Sequence, residues 1–396
     1  MLTAYKTEVQ LSPEQQTQVN RTIGVCRFVY NMFIDQNKKN YEDKENSENG
    51  GKFISGEEFS KWLNNEFLPN NPDYSWIKEV SSKAVKKSIM NADKAFRNFF
   101  QHKAGYPKYK KKKDQDAKMY FVKNDKNTII ECERHKIKIP TLSWVRIKEK
   151  GYIPTDRKTH LIKSGTISQK ADRYYVSVLV EQAKTNQSEP PASSEGIGVD
   201  LGLKEFAVIS TGDIKPNINR TKKIKKLEKK LKREQRKLSR KYENYKKAKK
   251  GGATRKNINK QVKKVQRIHR TLDNIRQDYR NKVVSELAKT KPAYITIEDL
   301  NVRGMMKNKH LSKAIAQQGF TDFRNRLTDK AKQHGIEVRI AGRFYASSKI
   351  CSNCGAVKEE LKLSERTYMC EECGITIDRD VNAAINLKNT TKYAIA

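Results

Sequence analysis

Hydrophobic residues in the first part of the chain recur at helical spacing after one short strand, which we expect over residues 1–10. A helix should follow, because Ser12 can serve as N-cap, Pro13 suits the first helical position and Gln15 can complete a capping box. Its apolar residues are three or four positions apart: Val19, Ile23, Cys26, Val29 or Tyr30, and Phe33. This spacing predicts one buried helix face.

Two more helices are predicted before residue 105. The polar stretch 37–51 indicates a loop. The helical segment after it carries Phe59, Leu63 and Phe67 and should break at the two prolines that follow. A third helix has apolar residues on one face: Val85, Ile89, Ala92, Phe96 and Phe99.

After residue 116 the pattern changes to short runs of alternating hydrophobic and polar residues, separated by turn residues. These runs lie at 119–122, 128–130, 136–139, 144–147, 166–168 and 174–180. They predict a small antiparallel β unit, a barrel that the N-terminal strand joins. Residues 182–195 are rich in Ser, Pro, Asn and Glu, which favours a linker.

Strands and helices alternate from residue 196 to residue 341, which favours an α/β fold. The strands are predicted at 197–200, 206–209, 294–297 and 336–341, and a helix that stops at Gly335 carries Phe320, Phe323, Leu327 and Ala331. A helix rich in Lys and Arg should run from 222 to about 245, and the glycines at 251 and 252 should break it. A second long helix, about 257–289, has its buried face at Leu272, Ile275, Tyr279, Val283 and Leu287.

The net charge indicates the kind of partner. The chain has 83 Lys and Arg residues against 45 Asp and Glu residues, a net charge of +38. Such a field attracts polyanions, and nucleic acid is the partner we expect. No apolar run reaches the roughly 18 residues that a bilayer span needs. The start of the chain also lacks the hydrophobic stretch of a secretion signal. We therefore expect a cytoplasmic, nucleoid-associated protein without a membrane partner.

The basic helical hairpin, residues 217–289, has two interpretations. Charge runs are usually solvated helix faces that bind nothing. A surface lattice of salt bridges needs both signs of charge, however, and here the excess is overwhelmingly positive. We therefore favour an arm that follows nucleic-acid phosphates.

Four of the six cysteines form two C-x-x-C pairs that 15 residues separate: Cys351 with Cys354, and Cys370 with Cys373. Two such pairs can face each other across a tetrahedral ion, and four thiolates without histidine favour a closed, structural zinc site. Disulfides are the alternative, which a reducing cytosol disfavours. The pattern predicts zinc but not a function, because zinc ribbons also occur in ribosomal and transcription proteins. The isolated Cys26 and Cys132 are expected to be buried free thiols.

Three carboxylates are unusual for their position in the predicted elements. Asp200 and Glu298 each end an apolar strand, and Asp380 lies where a helix begins after the cysteines. A carboxylate at the end of an apolar strand is costly unless it is hydrogen-bonded or binds a cation. Three such groups suit Mg²⁺, and two Mg²⁺ ions roughly 4 Å apart can activate water and stabilise the leaving oxygen of a phosphodiester.

Each of these acids also has an ordinary structural explanation. Asp200 could cap the following turn, Glu298 could pair with an arginine and Asp380 could be a helix N-cap. Asp299 and Asp378 are close rivals of their neighbours. Strand alternation favours Glu298, because Ile295 and Ile297 point to the opposite face. It does not decide between Asp378 and Asp380.

The order of these motifs resembles that of the TnpB family, transposon-encoded relatives of the miniature type V CRISPR effectors. In the second half the matching segments are Gly198-Val-Asp-Leu-Gly-Leu with Phe206-Ala, Ile297-Glu-Asp-Leu-Asn-Val-Arg-Gly-Met, Ser347-Ser-Lys-Ile-Cys-Ser-Asn-Cys-Gly, Cys370-Glu-Glu-Cys-Gly and Asp378-Arg-Asp-Val-Asn-Ala-Ala-Ile-Asn. In the first half they are Gly24-Val-Cys-Arg-Phe-Val-Tyr-Asn, Ala95-Phe-Arg-Asn-Phe-Phe and Gly105-Tyr-Pro-Lys-Tyr-Lys. The resemblance covers nearly the whole chain.

The resemblance implies a multidomain protein. A helical recognition lobe and a small β-barrel would precede an α/β RNase H-like (RuvC) nuclease domain with an inserted zinc ribbon. The implied boundaries are 1–14 with 116–185 for the wedge-like barrel, 15–115 for the helical lobe, 186–195 for the linker, 196–342 with 378–396 for the split nuclease, and 343–377 for the ribbon. Because the ribbon falls between the second and third acids, folding around zinc should help to place Asp380.

The resemblance also implies an activity: cleavage of DNA paired to a guide RNA from the transposon end, beside a short target-adjacent motif. Base pairing would then read the sequence while the protein holds the heteroduplex in a basic channel. Two Mg²⁺ ions would be bound by Asp200, Glu298 and Asp380, because the family's third acid stands two residues before the Asn-Ala-Ala run. One Zn²⁺ would be bound by the four paired cysteines. We expect a monomer with one RNA.

Other functions compete with this one. A guided repressor or a transposition accessory protein would bind DNA without cutting it, but all three implied acids are present. A transposase that joins strands itself would need a recombinase signature, and we find no tyrosine-recombinase motif. A zinc-ribbon RNA-binding protein would leave the acids at the strand ends unexplained.

Overall fold

The computed structural model describes residues 2–42, 51–122, 130–156, 158–182, 193–247, 254–362 and 364–396. The chain forms two compact units, residues 1–184 and 185–396. Most of the predicted linker, residues 186–192, and the glycines predicted to break the basic helix lie outside the described residues.

The N-terminal unit combines a helical bundle with a β-sheet. Its helices are α1 (Pro13–Glu42), α2 (Gly56–Trp62), α3 (Leu68–Asn70) and α4 (Ser82–Phe100), with a π-helical turn at Leu63–Phe67 and 3₁₀ turns at Pro72–Ile77 and Lys112–Asp114. Its strands are β1 (Leu2–Gln10), β2 (Met119–Val122), β3 (Lys136–Ile139), β4 (Ser143–Ile147), β5 (His160–Lys170) and β6 (Arg173–Gln182).

Helix α1 begins where the sequence predicts. The backbone amide of Gln15 donates to Ser12 Oγ at 3.2 Å, and that of Ser12 donates to Gln15 Oε1 at 3.1 Å, which completes the capping box. The loop predicted from residue 37 is wrong up to residue 42, where the helix continues. Asn37 and Asn40 are buried there, and their side chains bind the backbone of the segment at residues 52–54. These polar residues are therefore buried within the fold. Because they are polar, the sequence pattern indicated a loop instead.

The strands form one antiparallel six-stranded sheet in the order β2-β5-β6-β1-β4-β3. The predicted barrel is an open half-barrel in the described part of the chain, since the edge strands β2 and β3 do not pair with each other. Val19 and Ile23 of α1 belong to the same core as the sheet, so the helix covers apolar surface that barrel closure would have buried. The next turns of α1 enter the helical core, with Val29 and Phe33. A single helix thus joins the two predicted lobes.

The C-terminal unit contains a second six-stranded sheet. Its strands are β7 (Ile197–Leu201), β8 (Glu205–Ile209), β9 (Ile214–Pro216), β10 (Tyr294–Glu298), β11 (Glu337–Ala341) and β14 (Tyr393–Ile395), while β12 (Thr367–Met369) and β13 (Thr376–Asp378) form a separate hairpin. Its helices are α5 (Lys222–Lys246), α6 (Arg255–Lys289), α7 (Val302–Met305), α8 (Ser312–Gln318), α9 (Phe320–Gln333) and α10 (Arg379–Asn389), with a 3₁₀ turn at Ile218–Arg220.

The second sheet has the order β14-β11-β10-β7-β8-β9. Strands β7, β10 and β11 are parallel, and β8, β9 and β14 are antiparallel to their neighbours. One face packs on α6 and α9 through an apolar core that includes Val199, Ile297, Leu287 and Phe323. Strands β9 and β14 and helices α7 and α8 are short elements that the sequence did not predict.

Helices α5 and α6 form the predicted basic hairpin, with a small apolar seam at Ile224, Ile268 and Leu272. A buried polar contact supports it farther along, where Gln261 Nε2 donates to Glu234 Oε2 at 2.9 Å. Most lysines of α5 are exposed. The hairpin therefore presents a positively charged surface, and only a few apolar side chains pack its two helices together.

Candidate active site and metal centre

Asp200 and Glu298 lie at the ends of neighbouring parallel strands. Val199 pairs with Ile297 in the register of β7 and β10, so the next residues of the two strands are Asp200 and Glu298. Adjacent strands are about 4.8 Å apart. The two carboxylates therefore share the carboxyl edge of the sheet, on the face opposite the packed Val199 and Ile297.

Helix α10 lies directly on that face, and a glycine permits the close approach. A Cβ at position 198 would overlap the carbonyl oxygen of Ala384 and come within 2.5 Å of the backbone nitrogen of Lys388. Gly198 and Asp200 point to the same side of β7, since side chains alternate along a strand. The first turn of α10, which contains Asp380, is thereby brought to the edge with Asp200.

The three acids interact electrostatically. Burial, followed by the negative charges of Glu298 and Asp380, raises the pKa of Asp200 to about 8, against the opposing effect of Arg379. Desolvation also raises the pKa of Glu298, although a hydrogen bond from Ser347 opposes this. Such a group of carboxylates has a deficit of positive charge, which a bound cation would relieve.

The neighbouring acids have structural partners. Asp378 is the N-cap of α10, where its Oδ1 accepts from the backbone amides of Asp380 at 2.9 Å and Val381 at 3.1 Å. Asp299 binds Arg324 at 3.1 Å and Arg343 at 2.7 Å. Capping thus engages Oδ1 of Asp378, while Asp380 is the acid whose charge acts on Asp200, which favours Asp380 over Asp378 as the third acid.

The three acids are more widely spaced than a single-ion cluster. Within the described residues, only the four paired cysteines form a group of potential ligand atoms that all lie within 4.8 Å of one another. Asp380 also has a distant partner, Arg366 Nη1, 3.8 Å from its Oδ2.

The four cysteines Cys351, Cys354, Cys370 and Cys373 do converge as their spacing predicts. Sγ of Cys351 is 3.6 Å from Sγ of Cys373, and Sγ of Cys354 is 3.5 Å from Sγ of Cys370. Four sulfurs bound to one zinc at about 2.3 Å would be about 3.8 Å apart, so the cluster matches a tetrahedral ion.

The two C-x-x-C turns have the same backbone geometry. In each, the amide of the following glycine donates to the carbonyl of the first cysteine, at 2.9 Å for Gly355 and 3.0 Å for Gly374. Both glycines have positive φ, +80° and +71°, which a residue with a side chain adopts at a cost. The two turns of the ribbon are therefore determined by the cysteines and the glycine within each short segment.

The cysteine ribbon is tied to helix α10 by two buried asparagines. Asn382 Nδ2 donates to the carbonyl of Ile350 at 2.7 Å, and its Oδ1 accepts from the amide of Ser352 at 2.9 Å. Asn386 Nδ2 donates to the carbonyls of Ser347 at 2.8 Å and Ile350 at 2.6 Å.

Ser347 completes this connection to the acids. Its Oγ donates to Glu298 Oε1 at 2.7 Å, and the residue is buried. Ser347, Asn382 and Asn386 belong to the recognised motifs, but the sequence alone assigned them no role.

Family models match three regions of the chain. The C-terminal region matches the Cas12f1-like TNB domain over residues 320–387, the middle matches the OrfB of IS605 described as a probable transposase over residues 176–309, and residues 1–46 match its helix-turn-helix domain. In the described part of that last range the structure has one strand and one long helix, β1 and α1, rather than two helices.

A relative in Escherichia coli K12, named as a candidate RNA-guided DNA endonuclease, InsQ, is 30% identical over 401 residues, which cover 98% of this chain and 91% of the relative. The chain belongs to the TnpB family. Another relative of this TnpB chain, from Streptomyces pristinaespiralis and also named as a candidate RNA-guided DNA endonuclease, is 29% identical over 97% of the chain and 88% of the relative. A TnpB-like protein of Acanthamoeba polyphaga mimivirus is 31% identical over 48% of the chain and 36% of its own length.

A solved structure shares the fold. The Cas12f1 chain of a Cas12f1–sgRNA–target DNA complex aligns over 98% of the TnpB chain and 99% of its own length, with a TM-score of 0.60 and 14% sequence identity. The multidomain architecture of helices and sheets is thus that of Cas12f1. Across the described residues, no helix combines the length and hydrophobicity of a membrane span.

Proposed function

We propose that this chain is an RNA-guided DNA endonuclease that hydrolyses phosphodiester bonds at Asp200, Glu298 and Asp380. The observation that carries the proposal is the meeting of these three acids, from β7, β10 and α10, at one edge of a sheet. Relatives that match nearly the whole chain are named as endonucleases of this kind. A chain with net charge +38 has no other evident reason to concentrate carboxylates there.

The sheet supports an RNase H-like (RuvC) assignment of the nuclease domain. Three antiparallel strands, β9, β8 and β7, are followed across the sheet by β10 and β11, which run parallel to β7. The acids stand at the carboxyl ends of β7 and β10, where open α/β sheets bind their ligands. The domain boundaries proposed above are those of this assignment.

The residues at the acid edge fit Mg²⁺. All three are carboxylates, the ligands that Mg²⁺ prefers, and burial together with the charges of Glu298 and Asp380 raises the pKa of Asp200, a cost that a bound cation would offset. When bound, two Mg²⁺ ions would activate water and stabilise the leaving oxygen. The wide spacing of the acids is consistent with two ions.

The side chains around the acids have separable tasks. Asp200, Glu298 and Asp380 would hold the cations. Ser347 fixes one Glu298 oxygen and leaves the other free to bind. The ribbon would bind one structural Zn²⁺ through Cys351, Cys354, Cys370 and Cys373, and the asparagines of α10 would hold the ribbon against the site.

The partners would be one guide RNA and a double-stranded DNA target. A guide strand paired to DNA carries two phosphate backbones, and the positive charge of this chain can neutralise both. The exposed lysines of α5 provide a candidate surface for one of them.

The protein is co-expressed with candidate transposon-end RNA, and the RNA that co-purifies is sequenced. This experiment tests whether the protein binds a guide RNA. A single defined RNA species is expected, and a random mixture would contradict it. The complex should then cut a matching plasmid in Mg²⁺. Asp200→Asn, Glu298→Gln and Asp380→Asn should each bind the target and not cut it.

Asp213→Asn is the matched control, because Asp213 is an exposed acid of the same strand region. It should cut like the wild type. If the wild type binds its target without cutting, the protein is a guided repressor, and the nuclease proposal is wrong.

A further inference from the structure

Phe344 is unusually exposed to solvent for an aromatic, apolar residue. Its side chain is 95% exposed, more than any other large hydrophobic residue among those described. An isolated, partly exposed apolar residue is ordinary. A phenyl ring projecting almost entirely into solvent beside a candidate active site indicates a contact that the free chain does not make.

The segment that carries this ring is held on several sides. Residues 342–345 form a turn after β11, in which the amide of Tyr345 donates to the carbonyl of Gly342 at 2.9 Å. Arg343 is bound to Asp299, and Tyr345 Oη donates to the carbonyl of Asn386 at 3.2 Å. The ring is therefore presented from an anchored turn, which limits the entropy lost on binding.

A concave surface of about 610 Å³ adjoins the ring. Its lining combines apolar side chains, among them Ala346 and Ile350, with groups that offer hydrogen bonds or positive charge, such as Asn389, Thr391 and Lys392; among the described residues, no acid lines it. An exposed aromatic ring beside cationic and amide groups is the combination that binds single-stranded nucleic acid, because the ring stacks on a base and the cations attract the backbone.

The position of the turn relates the ring to the acids. Ala341, the last residue of β11, pairs with Glu298. Phe344 is three residues farther along, so its Cα lies within roughly 10 Å of that of Ala341. A strand with a phosphate at the carboxylates can therefore place a nearby base on the ring.

From these observations we infer that Phe344 is a stacking platform for an unpaired base of the DNA strand that enters the nuclease site. The inference rests on the proposed function, for which it identifies a substrate contact. Stacking on a ring recognises any base, so this contact would hold the strand without selecting a sequence.

Single-turnover cleavage of a target that matches the guide tests the inference. The experiment is a double-mutant cycle that combines a change of Phe344 with the removal of one base from the DNA. Phe344→Ala should slow cleavage by about 5- to 150-fold, the range for loss of one stacked base. Phe344→Trp should retain the rate, and Phe344→Leu should be intermediate. An abasic nucleotide at one position of the cut strand should slow the wild type by a similar factor and should have no further effect in Phe344→Ala.

Ile395→Ala, another exposed apolar residue of the same unit at 70% exposure, is the control and should cut normally. If the abasic and Phe344→Ala effects multiply at every position, no base stacks on this ring and the inference is wrong. The same holds if Phe344→Ala weakens guide-RNA binding or thermal stability by an amount that accounts for the slower cleavage.

A second readout does not need cleavage and separates the inference from the proposed function. A single-stranded oligonucleotide with 2-aminopurine at successive positions is mixed with full-length Asp200→Asn. Quenching at one or two adjacent positions, lost in Phe344→Ala and kept in Phe344→Trp, supports the stacking site even if the wild type never cuts. Equal fluorescence in all three variants would overturn it.

Discussion

At the scale of single residues, Asp200 is the group whose protonation should control the site. Its pKa is raised from 3.8 to about 8, so the folded state binds this proton more tightly than the unfolded chain does. The free energy of unfolding should therefore fall as pH rises between these values, in the absence of a bound cation.

The variant Asp200→Asn removes this titration. Without added Mg²⁺, it should be as stable as the wild type or less stable near pH 4, and more stable near pH 8, by a few kcal/mol at most. Urea unfolding across this range measures the difference. No chelator should be used, because the ribbon must retain its metal.

Added Mg²⁺ should reverse the difference at high pH by stabilising only the wild type. If the free energies of unfolding of the two proteins differ by the same amount at all pH values, folding does not raise the pKa of Asp200.

Ser347 is the residue through which the cysteine ribbon reaches Glu298. In Ser347→Ala the lost hydrogen bond should raise the pKa of Glu298 still further, since this bond lowers it now. Cleavage should slow by about 10- to 150-fold at neutral pH, for a charge-assisted bond of roughly 1.5–3 kcal/mol. The pH–rate profile should shift to higher pH, and Ser347→Thr should restore it.

Ser348→Ala, the next hydroxyl along the chain, is the control for this variant. If Ser347→Ala reduces the rate equally at every pH, Ser347 acts through general packing and not through Glu298.

At the scale of elements, the contact between α10 and β7 is what brings the third acid to the other two. Gly198→Ala would force the helix away from the strand, because the added Cβ would overlap the backbone at Ala384. We expect a loss of stability of about 1–3 kcal/mol and a loss of cleavage greater than the stability change explains.

Chemical unfolding and single-turnover cleavage at a temperature where Gly198→Ala remains folded separate these two effects. Gly24→Ala is the control, because Gly24 lies in α1 and an added Cβ would meet no atom within 4 Å beyond its chain neighbours and the nearby backbone of its own helix. That variant should be neutral or slightly stabilised. Full activity in Gly198→Ala would mean that α10 can shift without displacing Asp380 from the site.

The cysteine ribbon is the second element on which the acids depend. Cys370→Ser removes one proposed zinc ligand and no acid, yet it should abolish most of the cleavage, since Asn382 and Asn386 bind the ribbon backbone to α10. Metal analysis should find less than one zinc per chain, and unfolding should occur at a lower temperature. Cys132→Ala, at a buried thiol outside the cluster, should keep its zinc. Unchanged cleavage in Cys370→Ser would separate the ribbon from catalysis.

At the scale of the whole molecule, the net charge of +38 should make nucleic-acid binding strongly salt-dependent. Replacing the exposed Lys225, Lys229 and Lys232 of α5 by glutamine should reduce the slope of log K against log salt by roughly 0.7–0.9 for each lost phosphate contact. Fluorescence anisotropy of the guide–target duplex at salt concentrations from about 50 to about 300 mM measures this slope. Arginine at the same positions should keep the slope. An unchanged slope in the glutamine variant would identify α5 as a solvated face.

Local patterns predicted those features that depend on residues close in sequence. The capping box at Ser12, the C-x-x-C turns with their glycines and the two long basic helices all lie where the pattern indicates. The continuation of α1 through Asn37 was missed, because its polar residues bind a segment that local periodicity does not reveal.

The sequence by itself determined most of the longer helices and strands, the metal-binding spacing of the cysteines, the positive charge and the family. It also marked Asp200 and Glu298, since an acid that ends an apolar strand is visible in one dimension. The tertiary structure alone decided which strands are neighbours, that Gly198 admits α10, and that Asp378 caps a helix while Asp380 stays available. The physical reason is that strand order, helix packing and the pKa of a carboxylate depend on groups roughly a hundred or more residues away, which only folding brings together.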